Sequence, residues 1–351
     1  MEQITDVTIL LRVRQIIVES HDTRTFVFEK TDGGKLDYQA GQFLTFLIAI
    51  HGHEVRRSYS MSSAPDVDEY PAVTVKRVPN GEISRFWIDL VDEGDVFTVL
   101  PASGRFTLEK SLEGPRDIVL IGAGSGITPL FSILKQVLSS ETDSKVTLLY
   151  ANRNEKSTLF MEQLSDWETR FSERLKVIHI HSQPTDHWNG VRGRINNTRL
   201  EQMINKALSY RPENARFFIC GPFELMRTTE ITLHYMGFGR DQIRRENFVV
   251  RNPSPVPSVA LPHSIRLIFK SNGYDLYIPE DKTILQAALD AGIHLPYSCK
   301  GGSCATCAGV CKSGSVHMTI NDVLTDGDLA QGWILTCTAY PQDDHVTIEI
   351  T

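Results

Sequence analysis

Four cysteines toward the C-terminal end announce the first chemistry: Cys299, Cys304 and Cys307 in the spacing C-x4-C-x2-C, with Cys337 further along. Thiolates at this spacing hold a [2Fe–2S] cluster. A tetrahedral zinc ion is the competing occupant, but zinc sites more often pair two C-x2–4-C knuckles than collect three cysteines on one loop. The intervening residues, Lys300-Gly301-Gly302-Ser303 and Ala305-Thr306, are mostly small, which lets backbone N–H groups approach the sulfurs. Five of the six cysteines fall within 39 residues, and the chain opens Met1-Glu2-Gln3-Ile4-Thr5-Asp6, without the basic and apolar regions of a secretory signal. Crowded cysteines in such a chain read as metal ligands, not as a disulfide framework. Cys311 is the spare, expected to be a packed thiol.

A cluster carries electrons one at a time and does not make them, so a source is needed upstream. Gly122-Ala123-Gly124-Ser125-Gly126-Ile127-Thr128-Pro129 follows an apolar strand and opens a helix, where free N–H groups cradle a pyrophosphate. It departs from G-x-G-x-x-G, because the third glycine comes one residue early. Pro129 falls in the first helical turn, where it costs no hydrogen bond. A nucleophile-elbow reading fails because Ser125 lacks a glycine two positions before it. Another strand ends Cys220-Gly221-Pro222 and leads into a helix.

Nearer the N-terminus, Arg57-Ser58-Tyr59-Ser60 combines a cation, an aromatic plate and hydroxyls on one strand, with Arg57 and Tyr59 expected on one face and Ser58 and Ser60 on the other. An arginine can pair a pyrophosphate bidentately, and a tyrosine can cover a flavin ring. Gly81-Glu82-Ile83-Ser84 starts a helix whose N-terminus favours an anion. A turn with a capping serine explains that start equally well.

The elements that must position these groups divide the 351 residues into three folded units and a linker. Residues 1–112, with short apolar runs at Thr8 to Val18, Thr25 to Phe28, Phe43 to Ile48 and Val73 to Val78, predict an antiparallel β-barrel with one helix, Ile83 to Leu90. Residues 113–250 alternate strands and helices as a doubly wound α/β domain. Residues 251–263 form a Pro-rich extended linker. Residues 264–351 begin with a hairpin turning at Asn272-Gly273, then a helix over Thr283 to Ala291, then the cysteine loop. The fold class is multidomain α+β.

In this order the motifs resemble the ferredoxin–NADP reductase superfamily, through R-x-Y-S, G-x-x-S, G-x-G-x-G-x-T-P and C-G-P, with Pro101 to Phe106 similar to its domain-closing turn. Residues 264–351 resemble a plant-type ferredoxin of β-grasp fold. The whole arrangement looks like the reductase components of bacterial multicomponent oxygenases, of the phenylacetyl-CoA epoxidase and 3-ketosteroid 9α-hydroxylase type. The resemblance implies FAD held by Arg57, Ser58, Tyr59, Ser60 and Lys76, with Gly81 and Ser84 at its pyrophosphate. It implies a nicotinamide nucleotide on Gly122, Gly124, Gly126, Thr128 and Pro129, with Cys220, Gly221 and Pro222 beside the nicotinamide. Cys220, Ser60 and Glu246 are then the residues at the hydride path, and Phe248 lies near the flavin. Arg153, at the second α/β strand's end, favours the 2′-phosphate of NADPH, while NADH stays open.

Net charge is −7, with ten acids against five bases from Ser264 onward, which argues against nucleic-acid and anionic-membrane partners. That acidic unit suits either a basic docking partner or plain solvent. Without a signal or a long apolar stretch, the chain is expected in the cytoplasm. The expected activity passes electrons from NAD(P)H to FAD to [2Fe–2S] and on to a separate oxygenase component. The alternative is a stand-alone reductase of a soluble ferredoxin or quinone. A redox sensor would need an effector surface, and none is legible.

Overall fold

The structure is a computed structural model that describes residues 8–109, 114–248 and 261–350. The Pro-rich stretch from Arg251 to Ala260 and the expected boundaries at 112 and 250 lie outside the described residues.

The first unit is built from β1 (Ile9–Ser20), β2 (Thr23–Lys30), β3 (Phe43–Ile50), β4 (His53–Ser60), β5 (Ala72–Lys76), α1 (Glu82–Asp89) and β6 (Val96–Val99). Its antiparallel sheet runs β4-β3-β6-β1-β2-β5. Register shifts after Val13 and Val18 bend the long β1, as bulges do. The core is aromatic. Trp87 of α1, fully buried, stacks on Phe97 at 4.7 Å and meets Phe26, Phe28 and Phe46 edge-on. This plug seats the N-terminal end of α1 at the mouth of the sheet. The sequence runs missed β6, whose four residues are too short to show alternation.

The second unit comprises β7 (Asp117–Ala123), α2 (Ile127–Ser140), β8 (Lys145–Asn152), α3 (Met161–Arg170), β9 (Leu175–His181), β10 (Val191–Arg192), α4 (Asn197–Ala207), β11 (Ala215–Cys220), α5 (Phe223–Tyr235) and β12 (Ile243–Glu246). The sheet is parallel, in the order β10-β9-β8-β7-β11-β12. Apolar residues on both faces of β7 and β11 are buried, which is why those strands read as continuous hydrophobic runs. Strand order reverses between β7 and β11, and ligands bind beyond the carboxyl ends of strands at such a reversal. The glycine loop and the Cys220-Gly221-Pro222 turn are the two connections that leave this point.

The third unit contains β13 (His263–Phe269), β14 (Asn272–Ile278), α6 (Ile284–Asp290), β15 (Ala308–Ser313), β16 (Val316–Met318), α7 (Asp326–Ala330), β17 (Trp333–Leu335), β18 (Ala339–Pro341) and β19 (Thr347–Ile350). Its main sheet runs β14-β13-β19-β15-β17, and α6 packs Ile284, Leu285 and Ala288 into the core beneath it. The hairpin turns at Lys270-Ser271, both with positive φ, and not at Asn272-Gly273, which pair with Phe269 and Ile268. The Arg266 guanidinium crosses over Gly273 from β13.

Candidate functional site

A cleft of about 830 Å³ opens where the three units meet. Its size suits a dinucleotide cofactor, since ligand clefts run about 300–1,000 Å³. One wall is the end of β4, with Arg57, Ser58, Tyr59 and Ser60, together with Lys76 and the turn Gly81 to Ser84. Ser125 and Thr128 of the glycine loop, and Glu246 and Phe248, form a second wall. Ser298, Cys299, Ser303 and Cys304 of the cysteine loop form the third.

On β4 the four residues take different roles. Arg57 is exposed at the cleft rim, with a guanidinium N–H donated to the Arg56 carbonyl at 2.8 Å. Tyr59 lies edge-on to Trp87 at 5.7 Å and Phe46 at 5.9 Å, and burial pushes its phenol up beyond the ordinary range. The hydroxyl of Ser58 sits between those of Thr45 at 2.9 Å and Ser298 at 2.7 Å, so it joins the barrel to the cysteine loop as well as lining the cleft. At the strand's end, buried Ser60 donates to Glu246 Oε2 at 2.6 Å.

The turn before α1 has its own logic. Ser84 Oγ accepts from the Val78 N–H at 3.0 Å and donates to the Gly81 carbonyl at 3.1 Å, so the hydroxyl closes the turn. No side chain caps α1, and Gly81, Glu82, Ile83 and Ser84 at its start line the cleft.

The parallel sheet aligns the remaining groups. Cys220 pairs with Gly122 on β7 on one side and with Glu246 on β12 on the other, so three site residues lie abreast at the strand ends. Burial pushes the Cys220 thiol well up, and the neighbouring Glu246 carboxylate adds to it. Glu246 is itself raised to about 7 by burial, against which the Ser60 hydrogen bond works. A buried acid with its midpoint raised in a cleft is a candidate functional group.

Close approach explains the glycines. A Cβ on Gly126 would stand 2.2 Å from the Cys220 carbonyl oxygen, and Gly124 holds a positive φ of 55°. The Gly124 carbonyl accepts from the Tyr150 hydroxyl at 3.0 Å, while Thr128 Oγ1 donates to the Ser125 carbonyl at 3.0 Å. Neither the α2 end, with Pro129 in its first turn, nor the α5 end, at Pro222 after Gly221, has a side-chain cap. The Ile127 N–H at the start of α2 donates to the Gly124 carbonyl. Arg153, exposed beyond β8, lies outside the cleft and is held by Gln183 Oε1 at 2.8 Å. That tether spans thirty residues and carries no sequence signal.

The four cysteines lie together. Hydrogen bonds string them in the order Cys304, Cys299, Cys337, Cys307, and Cys299, whose thiol is held far down by Cys304 and Cys337, also accepts from the Gly301 N–H at 3.4 Å. Among the described residues, no three or more His, Cys, Asp or Glu side chains meet the geometry of a single metal ion. Gly302 has φ +74°, and a Cβ there would lie 2.8 Å from the Ile320 carbonyl oxygen, so the loop is wound tightly, and the Gly301 and Ser303 N–H groups donate to Cys299. This thiol-only donor set with N–H support fits an iron–sulfur cluster. Cys311 stands apart and donates to the Ser313 carbonyl at 3.2 Å.

Comparison with known proteins gives matching results. The chain matches the oxidoreductase FAD-binding domain over residues 10–108, the oxidoreductase NAD-binding domain over 120–230 and the 2Fe-2S iron-sulfur cluster binding domain over 269–342. It is 35% identical to the ferredoxin reductase component of 3-ketosteroid-9-alpha-monooxygenase from Rhodococcus rhodochrous, covering 97% of each chain. This chain belongs to the oxygenase-reductase family. The reductase is also 32% identical to one of the subunits of 1,2-phenylacetyl-CoA epoxidase from Escherichia coli, over 97% of this chain and 96% of that one. Phthalate dioxygenase reductase shares its fold, at a TM-score of 0.60 and 24% identity over 98% of both chains. The reductase therefore has FAD, NAD and 2Fe-2S domains for electron transfer from NAD(P)H through FAD to the cluster. No helix among the described residues is long and apolar enough to cross a membrane.

Proposed function

We propose that the reductase takes hydride from NADPH and delivers single electrons to a separate oxygenase component in the cytoplasm. The carrying observation is one cleft whose walls come from all three units, so hydride entry and electron exit share it. FAD supplies the conversion from a two-electron donor to a one-electron acceptor. In this reading Arg57, Lys76 and the N-terminal end of α1 hold the flavin's anionic groups, Tyr59 covers its ring, and Ser58 and Ser60 bound it from β4. Gly81 and Ser84 keep the helix end open to the pyrophosphate. The glycines at 122, 124 and 126, with Thr128 and Pro129, carry the nicotinamide nucleotide, and Cys220, Gly221 and Pro222 form the surface against which the nicotinamide lies. Ser60 and Glu246 hold a proton between them at the edge of that surface. Cys299, Cys304, Cys307 and Cys337 bind the cluster.

These assignments accompany a division into residues 1–112, 113–250 and 264–351, joined by 251–263. Arg153 supports NADPH, because its tether to Gln183 presents the guanidinium at the end of β8, where a 2′-phosphate would sit. The relatives named as monooxygenase reductase components support a separate oxygenase as acceptor. Anaerobic titration of the purified protein with NADPH and with NADH, followed in the visible spectrum, tests the reading. Flavin and cluster bands should bleach with NADPH at lower concentration than with NADH, and Arg153→Ala should erase that preference. Bleaching that favours NADH would assign the donor the other way, and no bleaching with either would refute the route.

A further inference from the structure

The third unit meets the other two along two strips. The first is beside the cysteine loop: Ser58 and Ser298 share a hydrogen bond, and the Arg56 guanidinium lies 4.1 Å above the Tyr297 ring. The second is charged. Arg105, just after β6, pairs with Asp328 and lies 4.2 Å over the Trp333 ring. Arg240 meets both oxygens of Asp326 at 3.1 Å. Arg245 donates to the Asp322 carbonyl at 3.3 Å, with its guanidinium 4.0 Å from that carboxylate. Two cavities, of about 280 and 370 Å³, run along this strip, so polar contacts bridge a loosely packed seam. The acidity of the C-terminal unit thus finds its basic counterpart, at these three positions, in the same chain.

We propose that Arg105, Arg240 and Arg245 are positioning residues for the flavin-to-cluster step. By holding Asp328, Asp326 and Asp322, they set the orientation in which Cys299 and Cys304 wall the flavin cleft. The inference rests on the electron route given above. Arg105 has the most direct mechanical link. Its partner Trp333 pairs with Val310, and the same strand pair joins Leu335 to Ala308, two residues before Cys337 and one after Cys307. One electron of the hydride pair crosses here at a time, and the second follows once the acceptor protein has taken the first from the cluster. The Arg240–Asp326 pair is exposed and weakens as salt rises, so that end of the strip should loosen with ionic strength.

The test uses the full-length protein loaded with FAD and cluster. In Arg105→Asp, stopped-flow bleaching of the flavin by reduced nucleotide should keep its rate, while cluster bleaching should slow about tenfold, a modest loss for a misplaced reaction partner. The radius of gyration from solution X-ray scattering should rise in the same sample. The charge swap is made at the exposed pair, where Arg240→Glu should loosen the unit and adding Asp326→Arg should restore both readouts. Asp328 is left in place because it also caps α7 through Thr325 and lies 3.9 Å from Arg244. Unchanged cluster reduction and radius in the single variant, or no recovery in the double variant, would overturn the proposal. If Arg105→Asp does not fold, the exposed pair alone provides the comparison. Failure of flavin reduction in the unmodified protein would instead refute the electron route, and the scattering comparison would still judge the latch.

Discussion

Replacing Glu246 by Gln should stabilise the protein at alkaline pH and leave it unchanged in acid. The side chain is buried, and its midpoint rises from 4.5 to about 7 because burial disfavours the carboxylate. Below pH 4.5 the folded and unfolded chains both hold the proton, and the group makes no difference. Between 4.5 and about 7 only the unfolded chain ionises, so stability falls as pH rises, and the loss is complete above 7. At about 1.4 kcal/mol for each tenfold change in proton affinity, the full loss is about 3 kcal/mol. Gln keeps an acceptor for the Ser60 hydroxyl but cannot ionise. Urea unfolding of the apoprotein at pH 4.5 and pH 8 should therefore give equal stabilities in acid and an advantage of about 3 kcal/mol for the variant at pH 8. Infrared difference spectroscopy of the unmodified protein should show a protonated carboxyl band that is lost with a midpoint near 7. A difference between the two proteins that is the same at both pH values would refute the reasoning, as would a midpoint near the ordinary 4.5. A group retained at that cost is better explained by the reaction than by the fold.

Gly126→Ala should drive the glycine loop away from the Cys220 turn, because the new Cβ meets a backbone oxygen at 2.2 Å that cannot swing aside. Overpacking of this kind costs about 1–3 kcal/mol, and nucleotide affinity, measured by titration, should fall about tenfold or more. Cys337→Ala should keep FAD content and ferricyanide reduction while losing the cluster absorbance and cytochrome c reduction. Equal loss of both activities would show that flavin and cluster do not act in sequence.

Much of this was legible in the sequence because the signals are local. The C-x4-C-x2-C spacing is set by the reach of one loop around a cluster, and that loop holds Cys299, Cys304 and Cys307 together before any packing is known. The buried strands of the α/β unit, from Asp117–Ala123 to Ala215–Cys220, show as apolar runs because both sheet faces are covered. The glycine loop shows because close backbone approach excludes side chains, as where a Cβ on Gly126 would meet the Cys220 carbonyl oxygen. The hairpin turn was misplaced because Asn-Gly is the strongest short turn signal, while the chain reverses at Lys270-Ser271 through two residues of positive φ and pairs Asn272 with Phe269.

What tertiary structure alone decided is which of these local pieces face one another. Ser60 and Glu246 are 186 residues apart and share a hydrogen bond only because β4 and β12 end at the same cleft. Ser58, read as a flavin contact, also binds Ser298, and Arg105 finds Asp328 across 223 residues. Such contacts depend on how separately folded units dock, and docking depends on surface charges whose partners no spacing rule relates. The sequence by itself determined the order of FAD, NAD and 2Fe-2S domains, because each carries short local motifs. The structure determined the junction between those domains, because it is made by side chains that meet only after each unit has folded.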